Sequence, residues 1–201
     1  MSPKTERTEH GSERRAQLLA IAAKLIAERG YTATTVRDIA DEAGILSGSL
    51  YHHFASKEEI LEEVLRSFMD PLLERFEEIA SSGDSPRVIL DRLIEHSFET
   101  IEQKPAAVGL YQNESAFLLR QPGFEFVGEK SRRIEEIWLA VIQDGQRQGV
   151  FRDTIDAGIA YRFIRDAVWS TVRWFKPGGR HTAQSLSAHY LDLLHGGLVS
   201  S

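Results

Sequence analysis

Two stretches of this 201-residue chain group side chains that could do chemistry. The first is GILSGSLYHHF, residues 44–54, which offers Ser47, Gly48, Ser49, Tyr51, His52 and His53 at close spacing. Hydroxyls and imidazoles hydrogen-bond phosphates or base edges, a tyrosine can lie along the backbone, and a glycine permits close approach, so this set suits double-stranded DNA. Thr35, Arg37 and Lys57 flank it and complete the candidate DNA-contacting residues. Phe54 falls on the other side by helical periodicity and is expected in a core. The adjacent histidines make a poor metal site, because neighbours on a helix diverge by about 100°, and no cysteine is available to help. No metal is expected.

The second stretch is YRFIRDAVWSTVRWF, residues 161–175. Every fourth residue gives Tyr161, Arg165, Trp169 and Arg173, a ridge that alternates ring and cation along one side of a helix. A guanidinium beside an indole suits a ligand that joins a carboxylate or phosphates to an apolar body. Tyr111, Gln112, Glu114 and His96 lie among Leu110, Phe117, Leu118, Phe98 and Ile101 and could add polar anchors to an apolar pocket. The candidate ligand residues are therefore Arg165, Trp169, Tyr111, Gln112, Glu114 and Arg173. The same spacing also fits a dimer seam, with Arg162 and Asp166 as an i,i+4 ion pair.

Enzymatic chemistry finds no purchase in the chain. There is no thiol nucleophile, no glycine-rich phosphate loop and no HExxH, and the carboxylates fall in scattered pairs of the kind that line solvated helix faces. A lack of cysteine fits a reducing compartment, and no apolar run approaches the roughly 18 residues of a membrane span, so a cytoplasmic protein without membrane attachment is expected. The net charge of −6 argues against coating nucleic acid through bulk positive charge. The charge is uneven: residues 1–60 hold eight basic and nine acidic residues, and the remainder 16 and 21.

The elements that must hold these groups read as helices nearly throughout, since apolar residues recur at three and four and no segment alternates as a strand would. A first helix runs from Ser12, through Leu18, Ala22, Leu25 and Ile26, to Gly30. Thr35-Val36-Arg37-Asp38 has capping-box form and opens a helix of about eight residues that Gly44 closes. Ser47 is the expected N-cap of a very short third helix. Val36, Ile39, Ile45 and Leu50 fill the core, and Ala40 and Ala43 let the helices cross closely. Ser56 to Glu59 forms a second capping box, launching a long helix from Lys57 to about Ala80. Further helices are expected from Pro86 to about Lys104, Ala106 to Arg120, Phe124 to Gln148, Asp153 or Thr154 to Phe175, and Thr182 to Leu194. Two short helices joined by a tight turn form a helix-turn-helix, whose second helix enters a major groove.

At these residues the chain is similar to a known family. TTVRDIADEAGILSGSLYHHFASKEEIL resembles the amino-terminal DNA-binding domain of TetR-family transcriptional repressors, down to the Tyr-x-x-Phe of the third helix and the Lys that opens the fourth. The resemblance covers about residues 12–66 and implies an all-α TetR-like fold. It places a helix-turn-helix domain in residues 1–56 and a helical ligand-binding and dimerisation domain in residues 57–201. It further implies a homodimer on a near-palindromic operator, joined through the last two long helices. One departure is that the reading helix holds no Arg or Lys, which removes arginine–guanine readout from it. ILSGSLYHHFASKEE together with YRFIRDAVW, VRWFKPGG and the Tyr-Gln before Glu114 is similar to the actinobacterial subgroup that represses the late, ring-opening half of cholesterol catabolism. That likeness implies no cofactor and, as effector, a CoA thioester of a degraded steroid that retains two rings. A TetR-like factor that acts without a small effector is the other expectation.

Overall fold

The computed structural model describes residues 3–196, with side chains from Ser12 onward. Residues 1–2 and 197–201, which the expected domain bounds include, lie outside the described residues. The elements are α1 (Pro3–Arg29), α2 (Val36–Glu42), α3 (Ser47–Leu50), α4 (Lys57–Ala80), α5 (Pro86–Gln103), α6 (Pro105–Leu118), α7 (Glu125–Arg147), α8 (Ala157–Ser170), a 3₁₀ turn (Thr171–Arg173) and α9 (Ala183–Gly196). No strand occurs among the described residues.

Two apolar cores divide the chain. The smaller joins Leu18, Ala22 and Leu25 of α1 to Ile39, Ala40, Leu50, Phe54 and Ile60, with Val36, Ala43 and Ile45 packed at its margin. This is the helix-turn-helix head. The larger core spans α4 to α9 and is centred on residues such as Phe76, Leu93, Ile94 and Trp138, the Phe76 and Trp138 rings meeting edge-on at 5.7 Å. The division at residue 57 is not sharp, because Ile60 of α4 sits in the head core while Ala23, Ile26 and Tyr31 join the body core. Helix α1 rests on α6, where Gly109 faces the Ala27 methyl.

Three boundaries differ from expectation for identifiable reasons. Helix α1 begins at Pro3 rather than Ser12; the polar residues before Ser12 carry no apolar stripe to read, yet Lys, Glu and Arg are good helix formers. Helix α8 starts at Ala157, three or four residues later than expected, because Asp156 accepts the Ile159 amide at 2.9 Å while Gln146 Nε2 donates to the Arg152 and Ile155 carbonyls and holds the preceding segment as a loop. Its end tightens into a 3₁₀ turn at Thr171, four residues short of Phe175. Helix α4 passes through Pro71, which has no N–H to give the Ser67 carbonyl. Lys104 Nζ, at the α5–α6 junction, donates to that carbonyl instead.

Candidate functional site

The head is held by a few directed bonds around its small core. Thr35 Oγ1 accepts the Asp38 amide at 3.1 Å, and Asp38 returns a carboxylate oxygen to the Thr35 amide at 2.7 Å, so the expected capping box opens α2. Hydrogen bonds from Thr35 hold the Asp38 carboxyl below its usual range. Arg14 donates to the Ala43 carbonyl at 3.1 Å and closes the other end of α2. Arg15 spreads over Phe54, its guanidinium 4.2 Å from the ring centroid, and bonds Glu59, Glu63 and the His53 carbonyl. It fixes the end of the α3 segment against α4. Ser56 accepts the Glu59 amide as expected, but the reciprocal carboxylate reaches the Ala55 amide rather than that of Ser56.

The expected N-cap at Ser47 is shifted by one. Leu46 is the N-cap of α3, in extended backbone conformation and without a side-chain cap, and Ser47 is the first helical residue. The Ser47 and Ser49 hydroxyls remain without a hydrogen-bond partner among the described residues, as do the Tyr51 hydroxyl and the His52 ring. Gly48, Tyr51 and His52 are exposed, Ser47 and Ser49 half-buried. Arg37 stays in solvent, 3.7 Å from Asp41. Thr35 spends its hydroxyl on the capping box.

Lys57 has a different position from that of a free cation beside the reading helix. Its Nζ donates to the Tyr31 and Thr34 carbonyls, both at 2.9 Å, and lies 4.0 Å from the Tyr31 ring centroid. Two of its three ammonium protons thus clamp the α1–α2 turn. Tyr31 Oη donates to Glu58 at 2.8 Å; burial, then this carboxylate, push the tyrosine hydroxyl far up, while the same bond holds Glu58 below its usual range.

In the body, Tyr111 and Gln112 of α6 and Arg165 and Trp169 of α8 converge on one cavity of about 280 Å³. Phe68, Met69 and Leu72 of α4 form its apolar floor, and Ser131 and Ile134 of α7 and Tyr161 complete the wall. Tyr111 Oη bonds Ser131 Oγ at 2.8 Å, and Ser131 donates onward to the Val127 carbonyl. Arg165 Nε donates to Asp166 at 2.8 Å, with its guanidinium 5.5 Å from the Tyr161 ring centroid. Asp166 is therefore the partner of Arg165, and the expected pair with Arg162 does not form. Burial raises the Tyr161 hydroxyl to about 12. An apolar floor with the Arg165–Asp166 ion pair and several neutral polar groups can hold an amphipathic ligand whose anionic group takes the place of Asp166 at Arg165.

Two candidate ligand residues lie elsewhere. Glu114 faces away from the cavity and accepts the Tyr31 amide at 3.0 Å, next to the Phe117 ring, which sits 5.9 Å from that of Tyr31. Arg173 is exposed and leaves the ridge because the 3₁₀ turn, at three residues per turn, breaks the every-fourth register. His96 also lies outside, edge-on to Phe76 and bonded to Glu99. Helix α6 therefore presents Tyr111 and Gln112 to the cavity and Glu114 to the head. A second cleft, about 360 Å³, opens between α5, the end of α7 and the loop after it, α8 and the end of α9, and gathers none of the candidate ligand residues.

Sequence reasoning missed Arg14, Arg15, Tyr31, Glu58 and Lys104. All act across the tertiary fold, and each looks in sequence like an ordinary residue of a solvated helix face or loop. No helix among the described residues is long and apolar enough to cross a membrane.

A three-helix head with an open reading face on a helical body with an amphipathic cavity is the plan of a ligand-responsive DNA-binding regulator. The bacterial regulatory proteins, tetR family, model matches residues 18–64, and the tetracyclin repressor-like C-terminal domain model matches residues 83–198. The chain belongs to the TetR family of transcriptional repressors, DNA-binding regulators rather than enzymes. It is similar to the HTH-type transcriptional repressor KstR2 of Rhodococcus jostii, 46% identical over 198 residues that cover 98% of this chain and 97% of that one. It is 48% identical to KstR2 of Mycobacterium tuberculosis over 94% of each chain. The solved structure of the latter, described as a ketosteroid transcriptional regulator, superposes with a TM-score of 0.88 and covers 94% of this chain and 96% of that one.

Proposed function

We propose that this chain represses genes of steroid breakdown, binds a near-palindromic operator as a homodimer, and is released by a CoA thioester of a partly degraded steroid that retains two rings. The convergence of Arg165 and Trp169 with Tyr111 and Gln112 on one apolar-floored cavity carries the effector reading. The cation suits phosphates or a carboxylate, and the indole and floor suit a ring system or adenine. Similarity to repressors named KstR2, over nearly the whole chain, supports the steroid part. Exposed Ile159 and Phe163 on α8 and Leu193 and Leu194 on α9 support pairing with a second copy through these helices. Such a dimer sets two reading helices about 34–36 Å apart, one turn of DNA.

Release follows as a shift in population. A ligand that binds better to a splayed dimer draws it off DNA by no more than its differential affinity for the two arrangements. Helix α6 offers the route, since its cavity face and its Glu114 link to Tyr31 belong to one rigid element.

The test is a fluorescence-anisotropy titration of the protein on DNA from its own upstream region, repeated with steroid-ring CoA thioesters, their free acids and CoA alone. Release by the thioesters only is the expected result. Tight specific binding that none of them disturbs overturns the steroid effector and favours a factor that acts without one.

A further inference from the structure

Three neighbouring positions on the reading face are filled in ways that do nothing for the chain's own stability. Leu46 is 80% exposed, more than any other large apolar residue described. It also occupies the N-cap of α3, where Ser, Thr, Asp or Asn would satisfy a free amide and leucine satisfies none. Gly48 lies within α3 without the positive φ that favours glycine, and a Cβ built on it meets nothing within 4 Å. Neither backbone nor packing asks for a glycine there, and glycine weakens a helix relative to alanine. Between them Ser47 has a hydroxyl with no partner among the described residues. Where local rules are broken with no internal gain, the gain lies outside the chain.

The partner that this face meets in a family of DNA-binding repressors is the major groove. Its floor carries one apolar feature, the C5-methyl of thymine. Leucine cannot hydrogen-bond, and α3 has no Arg or Lys to read guanine, so an apolar contact is the direct readout that Leu46 can make. A lone leucine flanked by a glycine and hydroxyls is too small and too polar a patch to seat a protein. We propose that Leu46 is a specificity-determining residue that packs on a thymine methyl in each operator half-site, and that the absent Gly48 side chain leaves room for that approach. The inference rests on the DNA-binding role and is independent of the effector.

The experiment replaces each operator thymine in turn with deoxyuridine, which removes only the methyl, and measures binding of the full-length protein and of Leu46→Ala. The unmodified protein is expected to lose about fourfold per half-site at one symmetric pair of positions, the worth of one buried methyl. Leu46→Ala should show a similar loss on thymine DNA and no further loss at that pair, with its thermal midpoint unchanged. Unaltered binding by Leu46→Ala, or uridine sensitivity that survives in it at every position, overturns the assignment. Gly48→Ala separates reading from structure: it should weaken operator binding while keeping or raising the thermal midpoint, and full-strength binding removes the role of Gly48. Failure of the unmodified protein to bind any upstream DNA is a distinct result that overturns the repressor reading itself.

Discussion

In the head, the side-chain polar atoms of Ser47, Ser49, Tyr51 and His52 have no partner among the described residues, whereas in the body cavity Arg165 is held by Asp166 and Tyr111 by Ser131. The reading face can therefore meet DNA without breaking internal bonds, and what it needs is rigidity behind it, supplied by Arg14, Arg15 and the capping box. A ligand entering the cavity would have to exchange these internal bonds of Arg165 and Tyr111 for bonds to itself. Those bonds stabilise the empty arrangement, so under the proposed function the ligand would have to bind another arrangement better to shift the population.

The largest expected effect tests whether the two regions are separable. Phe54 is 2% exposed in the head core and carries Arg15 on its face. Phe54→Ala should destabilise the head by about 3–5 kcal/mol and abolish operator binding, while effector binding in the body, read by tryptophan fluorescence, survives. Loss of both together would show one cooperative unit instead.

Next in size is the cavity cation. Arg165→Ala should leave operator affinity within about twofold and weaken effector binding by about 10–150-fold, the range of about 1.5–3 kcal/mol for a hydrogen bond to a charged group. Calorimetry with the effector, beside anisotropy on the operator, separates the two terms. Equal loss of folding or of dimer would make Arg165 structural. Asp166→Asn sharpens the contrast from the other side: with its ion pair gone, Arg165 should bind the effector a few-fold more tightly, and unchanged affinity would mean that Asp166 does not compete with ligand.

How legible each region was follows from how local its signals are. The capping box at Thr35–Asp38, the glycine at 44, the start of α4 at Lys57 and the core set of Ile39, Leu50 and Phe54 all depend on neighbours within a few residues, and all appear in the structure. The cavity depends on helices far apart in sequence. Periodicity brought out Tyr161, Arg165 and Trp169, but it could not show that α8 tightens after Ser170 and sheds Arg173. Glu114 was misplaced for a related reason: it is two residues from Gln112 and so projects from a different side of α6, and only the packing of α1 on α6 shows that this side meets Tyr31. Lys57 likewise has a sequence position beside the reading helix, while the carbonyls that capture it lie 23 and 26 residues earlier.

A smaller effect is expected at the link between the regions. Glu114→Ala removes the acceptor of the Tyr31 amide and should cost about 1 kcal/mol. Hydrogen exchange at that amide should quicken, and the effector concentration needed for release from DNA should rise while affinity for the effector alone holds. Unchanged release would mean that α6 does not transmit through this contact.

The smallest contrast is in the response to acid, where the two regions carry opposite signs. Asp38 in the head, and Glu58 and Glu59 at the start of α4 where it meets the head, have carboxyls held below their usual values, chiefly by hydrogen bonds from Thr35, Tyr31 and the Ala55 amide respectively. A depressed folded value contributes stability above the unfolded value, 3.8 for Asp and 4.5 for Glu, and loses it as pH falls through the lower folded one. Glu95 of α5 is raised, first by partial desolvation of its carboxyl and then by Asp91 and Glu99, although the side chain as a whole reaches solvent. A raised value works the other way, so acidification from its folded value down to 4.5 favours the folded body. Lowering the pH through this window and below it should therefore loosen the head before the body. Hydrogen exchange resolved by peptide checks this: residues 31–60 should lose protection below about pH 4.5 while α5 retains its own. Simultaneous loss in both would mean that the head's carboxylate bonds contribute nothing separate to its stability.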